Sequence, residues 1–214
     1  MPLVLQHNDE SAQWGVWRMD ETFDELCCIL SDTSYPDEVV QRFSAAHRRV
    51  EWLSVRAALK QMLQNPPLIA YHPSGKPYLK DSSLHISISH TKGYVAVIVG
   101  HTDVGIDIEQ YGERIHKVSS KFMRDDETVT SFEGNDTWSL LLHWSAKEVM
   151  FKCMNTAAVD FKKHLFITPF TTQAEGTFHA QEFKTAQQRS FLIHYLLHPH
   201  FVLTYYKGNS VLFS

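Results

Sequence analysis

The hydrophobic pattern changes period three times along this chain, and these changes limit the fold more than any other feature of the sequence. Apolar residues recur at three- and four-residue steps between Asp37 and Leu63, which predicts one long helix that the prolines after Asn65 end. Apolar and polar residues then alternate over residues 84–89, a pattern typical of a half-buried strand. Two further strands are predicted within residues 94–108.

Helical spacing returns over residues 115–123 and again over residues 138–154, and the last fifty residues have a β-rich pattern. Within that β-rich part, a hairpin is predicted across residues 198–200. Helices and strands thus occur in separate runs in each half, which predicts an α+β fold rather than alternating βαβ units. We expect one half to cover residues 1–103 and the other to cover residues 104–214.

The composition of the chain narrows the functional classes. The formal net charge is −4 and the isoelectric point is near 6.3, which disfavours a nucleic-acid-binding protein held by general electrostatics. The three cysteines, two of them adjacent at Cys27 and Cys28, provide neither a disulfide framework nor paired zinc-ligand spacing. No apolar run approaches the ~20 residues that span a bilayer, and the N-terminal segment lacks the features of a signal peptide. We therefore expect a cytoplasmic location without membrane insertion.

The segment Gly105–Glu109, with the sequence GIDIE, places two acidic residues on a predicted strand. Residues two apart share one face of a strand, so Asp107 and Glu109 point one way and the two isoleucines point the other way. Two neighbouring carboxylates repel each other unless a cation lies between them, and oxygen ligands at this spacing suit Mg²⁺. The alternative is a strand edge whose polar face is only solvated.

The predicted helix over residues 138–154 carries a second group of polar residues. Glu148 and Lys152 are four residues apart and therefore share a face. They form either an exposed ion pair or a third carboxylate for the metal beside a lysine that meets phosphate charge. Trp144 lies one turn before Glu148, where we expect it to pack in the core.

Residues that can contact phosphate occur in the first half as well. Ser89 and His90 end a predicted strand, and Lys76 lies in a turn between a glycine and a proline. Arg49 and Arg56 are seven residues apart and share one face of the predicted long helix. Each of these side chains can bind a phosphate oxygen, and each can equally be an ordinary solvated or partly buried polar residue.

Four short motifs together give the chain a resemblance to a known family. They are GKPYL at residues 75–79, ISISH at 86–90, GIDIE at 105–109, and WSAKE followed by MFK at 144–152. In this order they resemble the 4'-phosphopantetheinyl transferases of the surfactin-synthetase-activating type. The resemblance runs from the arginine-bearing helix near residue 48 to Lys152, roughly half of the chain.

This resemblance implies an activity and a fold. Members of the family move the 4'-phosphopantetheine arm of coenzyme A onto a serine of an apo acyl or peptidyl carrier protein, in a Mg²⁺-dependent reaction that releases adenosine 3',5'-bisphosphate. Their fold consists of two similar α+β halves related by a pseudo-twofold axis, with coenzyme A in the cleft between the halves. Because one chain already forms such a pseudo-dimer, we expect a monomer.

The resemblance also implies roles for individual residues. Asp107, Glu109 and Glu148 would hold Mg²⁺ against the pyrophosphate. Glu148 would also be the general base toward the serine hydroxyl, directly or through a water, and Lys152 would stabilise the leaving phosphate. The residues that would bind coenzyme A are Arg49, Arg56, Lys76, Ser89, His90 and Lys152.

A basic stripe is predicted without reference to the family. Arg114, Lys117, Lys121 and Arg124 step by three, four and three residues, so they share one face of the helix predicted over residues 115–123. On a protein of net charge −4, such a stripe would attract an acidic partner. Carrier proteins are typically acidic helical bundles, so this face is either part of a carrier docking surface or a solvated helix face.

Two other functions stay open at this point. A coenzyme A pyrophosphatase would use the same carboxylates with water in place of the serine, and incubation with coenzyme A alone would reveal it. A coenzyme-binding or carrier-binding module without turnover is the non-enzymatic alternative, which the presence of all three carboxylates and Lys152 disfavours.

Overall fold

The computed structural model of the protein describes residues 3–31, 35–154, 156 and 158–208. The chain divides into two units, Met1–His101 and Thr102–Ser214. Each unit combines helices with an antiparallel sheet, so the predicted α+β class is confirmed. Within the described ranges, no helix is long and apolar enough to cross a membrane. The internal duplication of the family fold stays a prediction.

Among its described residues, the first unit contains six strands: β1 (Leu3–Asn8), β2 (Ala12–Arg18), β3 (Ile69–Tyr71), β4 (Pro77–Leu79), β5 (His85–Thr91) and β6 (Tyr94–Gly100). Four of them form an antiparallel sheet with the order β1-β2-β6-β5, and β3 pairs with β4 in a separate hairpin. The strands predicted over residues 84–89 and 94–99 are therefore confirmed as β5 and β6. The apolar, β-branched residues of β6 are buried in the middle of the sheet, as such a run favours.

The helices in the described part of the first unit are α1 (Phe23–Leu30), α2 (Tyr35–Arg42) and α3 (Ala46–Leu63). The single helix predicted from Asp37 to Leu63 is therefore wrong, since the chain bends over residues 43–45. The side chain of Arg49 stabilises this bend by donating hydrogen bonds to the carbonyl oxygens of Phe43 and Ser44, at 2.7 and 3.4 Å. Beyond the bend, α3 packs on β2 and β6.

The second unit contains β7 (Gly105–Gln110), α4 (Thr137–Cys153), α5 (Phe161–His164), β8 (Leu165–Ile167), β9 (Glu175–Glu182), β10 (Ser190–His198) and β11 (Phe201–Tyr206). Its strands pair antiparallel in the order β7-β11-β10-β9-β8. The hairpin predicted across residues 198–200 is confirmed, because β10 and β11 pair from His198 and Phe201 outward. The helix predicted over residues 138–154 is confirmed as α4, which packs on β7 and β11.

Residues 113–121 form two 3₁₀ helices, Glu113–Lys117 and Ser119–Lys121, so the α-helix predicted over residues 115–123 is wrong. Val118 separates the two with a φ of −115°, far from the value of about −63° in an α-helix. A 3₁₀ helix has about three residues per turn. The three- and four-residue steps of the basic residues therefore do not produce one straight helical face.

The strand β7 begins at a glycine that α4 approaches closely. A Cβ atom at Gly105 would lie 2.9 Å from the backbone oxygen of Val149 and 2.8 Å from Sγ of Cys153. Cβ atoms do not come so near to backbone atoms, so any other residue here would push the strand and the helix apart. Gly105 therefore permits the short separation at which side chains of α4 reach the carboxylates of β7.

Candidate active site

Asp107 and Glu109 lie on β7, and Glu148 lies on α4, the helix that packs against this strand. Asp107 is 3% exposed, whereas Glu109 and Glu148 are partly buried. Ile106 and Ile108, the alternate residues of the strand, are fully buried. A carboxylate that is only solvated would not be almost completely buried. The solvated-edge interpretation of the GIDIE motif is therefore wrong for Asp107.

Both carboxylate oxygens of Asp107 accept hydrogen bonds from α4. Lys152 donates from Nζ to Oδ1 at 2.8 Å, and Ser145 donates from Oγ to Oδ2 at 2.7 Å. Lys152 also donates to the carbonyl oxygen of Ile106 at 2.8 Å. The ion-pair partner of Lys152 within the described residues is therefore Asp107 and not Glu148. Charge-assisted bonds of this length fix the Asp107 carboxylate firmly.

Glu109 is held by a different residue of α4. The indole Nε1 of Trp144 donates a hydrogen bond to Oε1 of Glu109 at 2.7 Å. The indole ring also packs against Phe122 and Phe161, with ring centroids 5.3 and 5.4 Å apart. Trp144 therefore packs against the core, as predicted, and in addition orients a carboxylate, which its helical spacing did not indicate.

The electrostatics of the three carboxylates shows that they interact. The pKa of Glu148 is raised to about 7, first by burial and then by the negative charge of Asp107. The pKa of Glu109 is also raised to about 7 by burial and by Asp107, while the hydrogen bond from Trp144 opposes the shift. Two carboxyl groups that titrate near neutral pH can exchange protons under physiological conditions, and perturbed groups of this kind are typical of functional sites.

These side chains have the chemistry of a Mg²⁺ site but are not arranged as one. Within the described part of the chain, no group of three or more His, Cys, Asp or Glu side chains forms a cluster that could hold a metal ion. Both oxygens of Asp107 accept hydrogen bonds, from Lys152 and from Ser145. The donor set itself fits Mg²⁺, because it consists of hard carboxylate oxygens and includes two carboxyl groups whose ionised forms are disfavoured by burial and by the charge of Asp107.

In the first unit, His90 contacts an arginine that is not among the residues predicted to bind coenzyme A. Nη1 of Arg48 donates to Nε2 of His90 at 2.9 Å and to Oε2 of Glu51, also at 2.9 Å. Arg49, one of the residues predicted to bind coenzyme A, instead donates hydrogen bonds to carbonyl oxygens at the bend before α3. The available signal was the three-residue spacing from Arg48 to Glu51, which places both on one face of the helix.

The other residues predicted to bind coenzyme A do not join this cluster. Arg56 is 6% exposed, and its guanidinium lies 3.0 Å from the ring centroid of Trp52 and donates to the Trp52 carbonyl oxygen. Ser89 is buried on β5, one residue before His90. Lys76 is partly buried in the turn between β3 and β4. Their roles in binding stay predictions.

The comparison with protein families matches the part of the chain that contains the carboxylates. Residues 103–205 match the model of the 4'-phosphopantetheinyl transferase superfamily, and this range includes β7, α4 and the rest of the second unit's sheet. This part of the chain is therefore similar to the superfamily that the motifs predicted.

One curated relative is the 4'-phosphopantetheinyl transferase gsp of Aneurinibacillus migulanus, which is 29% identical over 108 residues. The aligned part covers 48% of this chain and 45% of the relative. The similarity thus spans about half the length of each protein.

Proposed function

We propose that this protein transfers the 4'-phosphopantetheine group of coenzyme A to a serine hydroxyl of an apo carrier protein and releases adenosine 3',5'-bisphosphate. The observation that carries this proposal is the meeting of β7 and α4, where Lys152 bonds Asp107 and where Glu109 and Glu148 have raised pKa values. The similarity of residues 103–205 to the superfamily model supports the same reaction class.

Glu148 is the proposed general base in this reaction. The serine oxygen forms a bond to the phosphorus that bears the pantetheine arm, and the bond from that phosphorus to the bridging oxygen breaks. The proton of the serine passes to Glu148, directly or through a water. A carboxyl group with a pKa near 7 suits this role, because it is partly ionised at the working pH and still basic enough to accept a proton.

Lys152 is proposed to stabilise the leaving phosphate, and Asp107 to hold Lys152 in place. Charge develops on the bridging oxygen as its bond to phosphorus breaks. The Nζ atom of Lys152 is fixed by Asp107 and by the carbonyl oxygen of Ile106, which leaves it one further donor for a phosphate oxygen. The positive charge is therefore in position before the substrate arrives.

Mg²⁺ is proposed as the cofactor, with Asp107, Glu109 and Glu148 as the residues that would hold it. When bound, the ion would neutralise pyrophosphate charge. The donor chemistry supports this assignment, because two of these carboxyl groups are destabilised in their ionised form and a cation would relieve that effect.

We propose that the nucleotide part of coenzyme A binds to the first unit. Arg48 joins the predicted residues here because its guanidinium bonds His90, which places the remaining N–H donors of the guanidinium beside the predicted phosphate-binding histidine. Arg49, Arg56, Lys76 and Ser89 complete the proposed set.

The carrier protein is proposed to dock against the basic residues of the two 3₁₀ helices. Arg114, Lys117 and Lys121 are exposed there. Arg124 contributes less positive charge to this surface, because its guanidinium already forms an ion pair with Asp126. An acidic helical bundle is the partner that such a basic surface fits.

The direct test is mass spectrometry of apo carrier proteins incubated with the protein, coenzyme A and Mg²⁺. We expect the mass gain of one phosphopantetheine group on the carrier, and no gain with the Glu148→Gln variant. If coenzyme A is instead cleaved without any carrier present, a coenzyme A pyrophosphatase is the correct function. Absence of both reactions across acyl and peptidyl carriers would contradict the proposal.

A further inference from the structure

The second unit contains an ion pair whose two side chains are both fully buried. Nζ of Lys147 lies 2.8 Å from Oε2 of Glu127, and each side chain is 0% exposed. Among the ion pairs of the described residues, only this one excludes solvent from both partners. Lys147 directly precedes Glu148 on α4, so the pair anchors the same helix that carries the proposed general base.

The hydrogen bonds of the pair connect three segments of the chain. Lys147, on α4, donates to the carbonyl oxygen of Phe122 at 2.7 Å. Glu127 accepts from the backbone amide of Arg124 through Oε2 and from that of Ile167, at the end of β8, through Oε1, both at 2.8 Å. The segment that follows the two 3₁₀ helices is therefore bound to a helix and to a strand at one point.

The same segment is linked to the carboxylates by an aromatic contact. The ring of Phe122 lies 5.3 Å from the ring of Trp144, in an edge-on arrangement. Trp144 in turn donates to Glu109. A continuous set of contacts thus runs from Lys147 through Phe122 and Trp144 to Glu109.

Stability alone does not explain the presence of this pair. Removing two charges from water costs more than most buried ion pairs regain, and apolar residues of similar size are often as stable or more so. The best-attested use of such groups is to select one arrangement of the chain over others. The Lys147 ammonium and both Glu127 oxygens form hydrogen bonds with other segments. Displacing any one of these segments would therefore leave a buried charged group without one of its hydrogen bonds.

We propose that the Lys147–Glu127 pair is a positioning element that fixes residues 113–127, and with them the carrier-binding surface, relative to Glu148. This inference rests on the proposed function and assigns to the pair the alignment of the carrier's serine with the general base. Neither residue touches substrate; both act through the segment they hold. A small displacement of a docked substrate reduces the rate strongly, so removing the pair weakens carrier use in particular.

The test compares steady-state kinetics of the wild-type chain with the double variant Lys147→Met/Glu127→Gln, which removes both charges at nearly constant volume. We expect the KM for the carrier to rise about tenfold or more and the KM for coenzyme A to stay within about twofold. The matched control is Asp125→Asn, which removes an exposed ion pair between the same segment and Lys162. This control should leave both constants unchanged, since exposed pairs contribute little.

A folded double variant with an unchanged carrier KM would overturn the inference, and so would an equal rise in both KM values. If the wild-type chain itself transfers nothing, the proposed function fails instead, so the two failures are distinguishable.

Hydrogen exchange on the wild-type chain provides a second measurement that does not depend on activity or on how the variant folds. The amides of Arg124 and Ile167 should exchange slowly and at similar rates, because both donate to Glu127. Fast exchange at either amide would also overturn the inference.

Discussion

Glu148 should lower the stability of the metal-free protein at neutral and alkaline pH, so the variant Glu148→Gln should be more stable than the wild type there. The carboxyl group has a pKa of about 7 in the folded chain against an ordinary value of 4.5. Below pH 4.5 both states hold the proton, and Glu148 does not affect the difference between them. Between pH 4.5 and 7 the unfolded chain releases the proton and the folded chain keeps it, so stability falls as the pH rises through this range.

The size of the effect follows from the shift. One pKa unit corresponds to about 1.4 kcal/mol, so a rise from 4.5 to about 7 would cost about 3 kcal/mol at pH 8. Glu148 is partly exposed, and solvent screening reduces this to about 2 kcal/mol. Glutamine resembles the protonated carboxyl group in shape and never ionises. The variant should therefore exceed the wild type by less than about 1 kcal/mol near pH 5 and by about 2 kcal/mol near pH 8.

Urea denaturation at several pH values between 5 and 8, with a chelator present, measures this difference. The exposed Glu113→Gln variant, which removes a carboxylate outside the site, is the matched control. A difference between Glu148→Gln and the wild type that stays constant from pH 5 to pH 8 would refute the reasoning. Because the same variant loses the proposed base, it should gain stability and lose transfer activity together.

Four further results are expected. Lys152→Ala should lower kcat by about 10²-fold and change the KM for coenzyme A much less, as single-turnover and steady-state rates will show. Trp144→Phe keeps an aromatic ring and removes the donor to Glu109, so the Mg²⁺ concentration needed for half-maximal transfer should rise several-fold; an unchanged Mg²⁺ titration would contradict the positioning role. Gly105→Ala should reduce the free energy of unfolding by about 2 kcal/mol in urea, whereas Gly112→Ala, where a Cβ meets nothing within 4 Å, should not. Lys117→Glu combined with Lys121→Glu should raise the KM for carrier protein and leave coenzyme A affinity unchanged; an unaffected carrier KM would remove the docking proposal.

The sequence predicted elements well where the hydrophobic period was unambiguous. β5, β6, β7, α4 and the hairpin of β10 with β11 follow from alternation or helical spacing. The two errors share one cause, because a periodic pattern does not reveal a local break. The bend over residues 43–45 depends on the Arg49 side chain, and the 3₁₀ geometry of residues 113–121 satisfies almost the same spacing as an α-helix.

The candidate site was predictable in its residues but not in its internal contacts. Motif spacing selected Asp107, Glu109, Glu148 and Lys152. For Lys152 it left open an ion pair with Glu148, four residues away, whereas the structure pairs Lys152 with Asp107, 45 residues away. Contacts over such separations depend on how a helix packs on a strand, which short-range periodicity does not encode. Ser145 was missed for the same reason, since serine in a helix carries no distinctive pattern.

The hydrogen bond from Trp144 to Glu109 gives the protein an optical reporter of its own. The emission of an indole depends on the charge beside its N–H group, and here that charge changes whenever Glu109 gains a proton or meets a cation. The chain has five tryptophans, so the difference between wild-type and Trp144→Phe spectra would isolate this signal. Ion and coenzyme titrations could then be followed by fluorescence, without a label and without turnover.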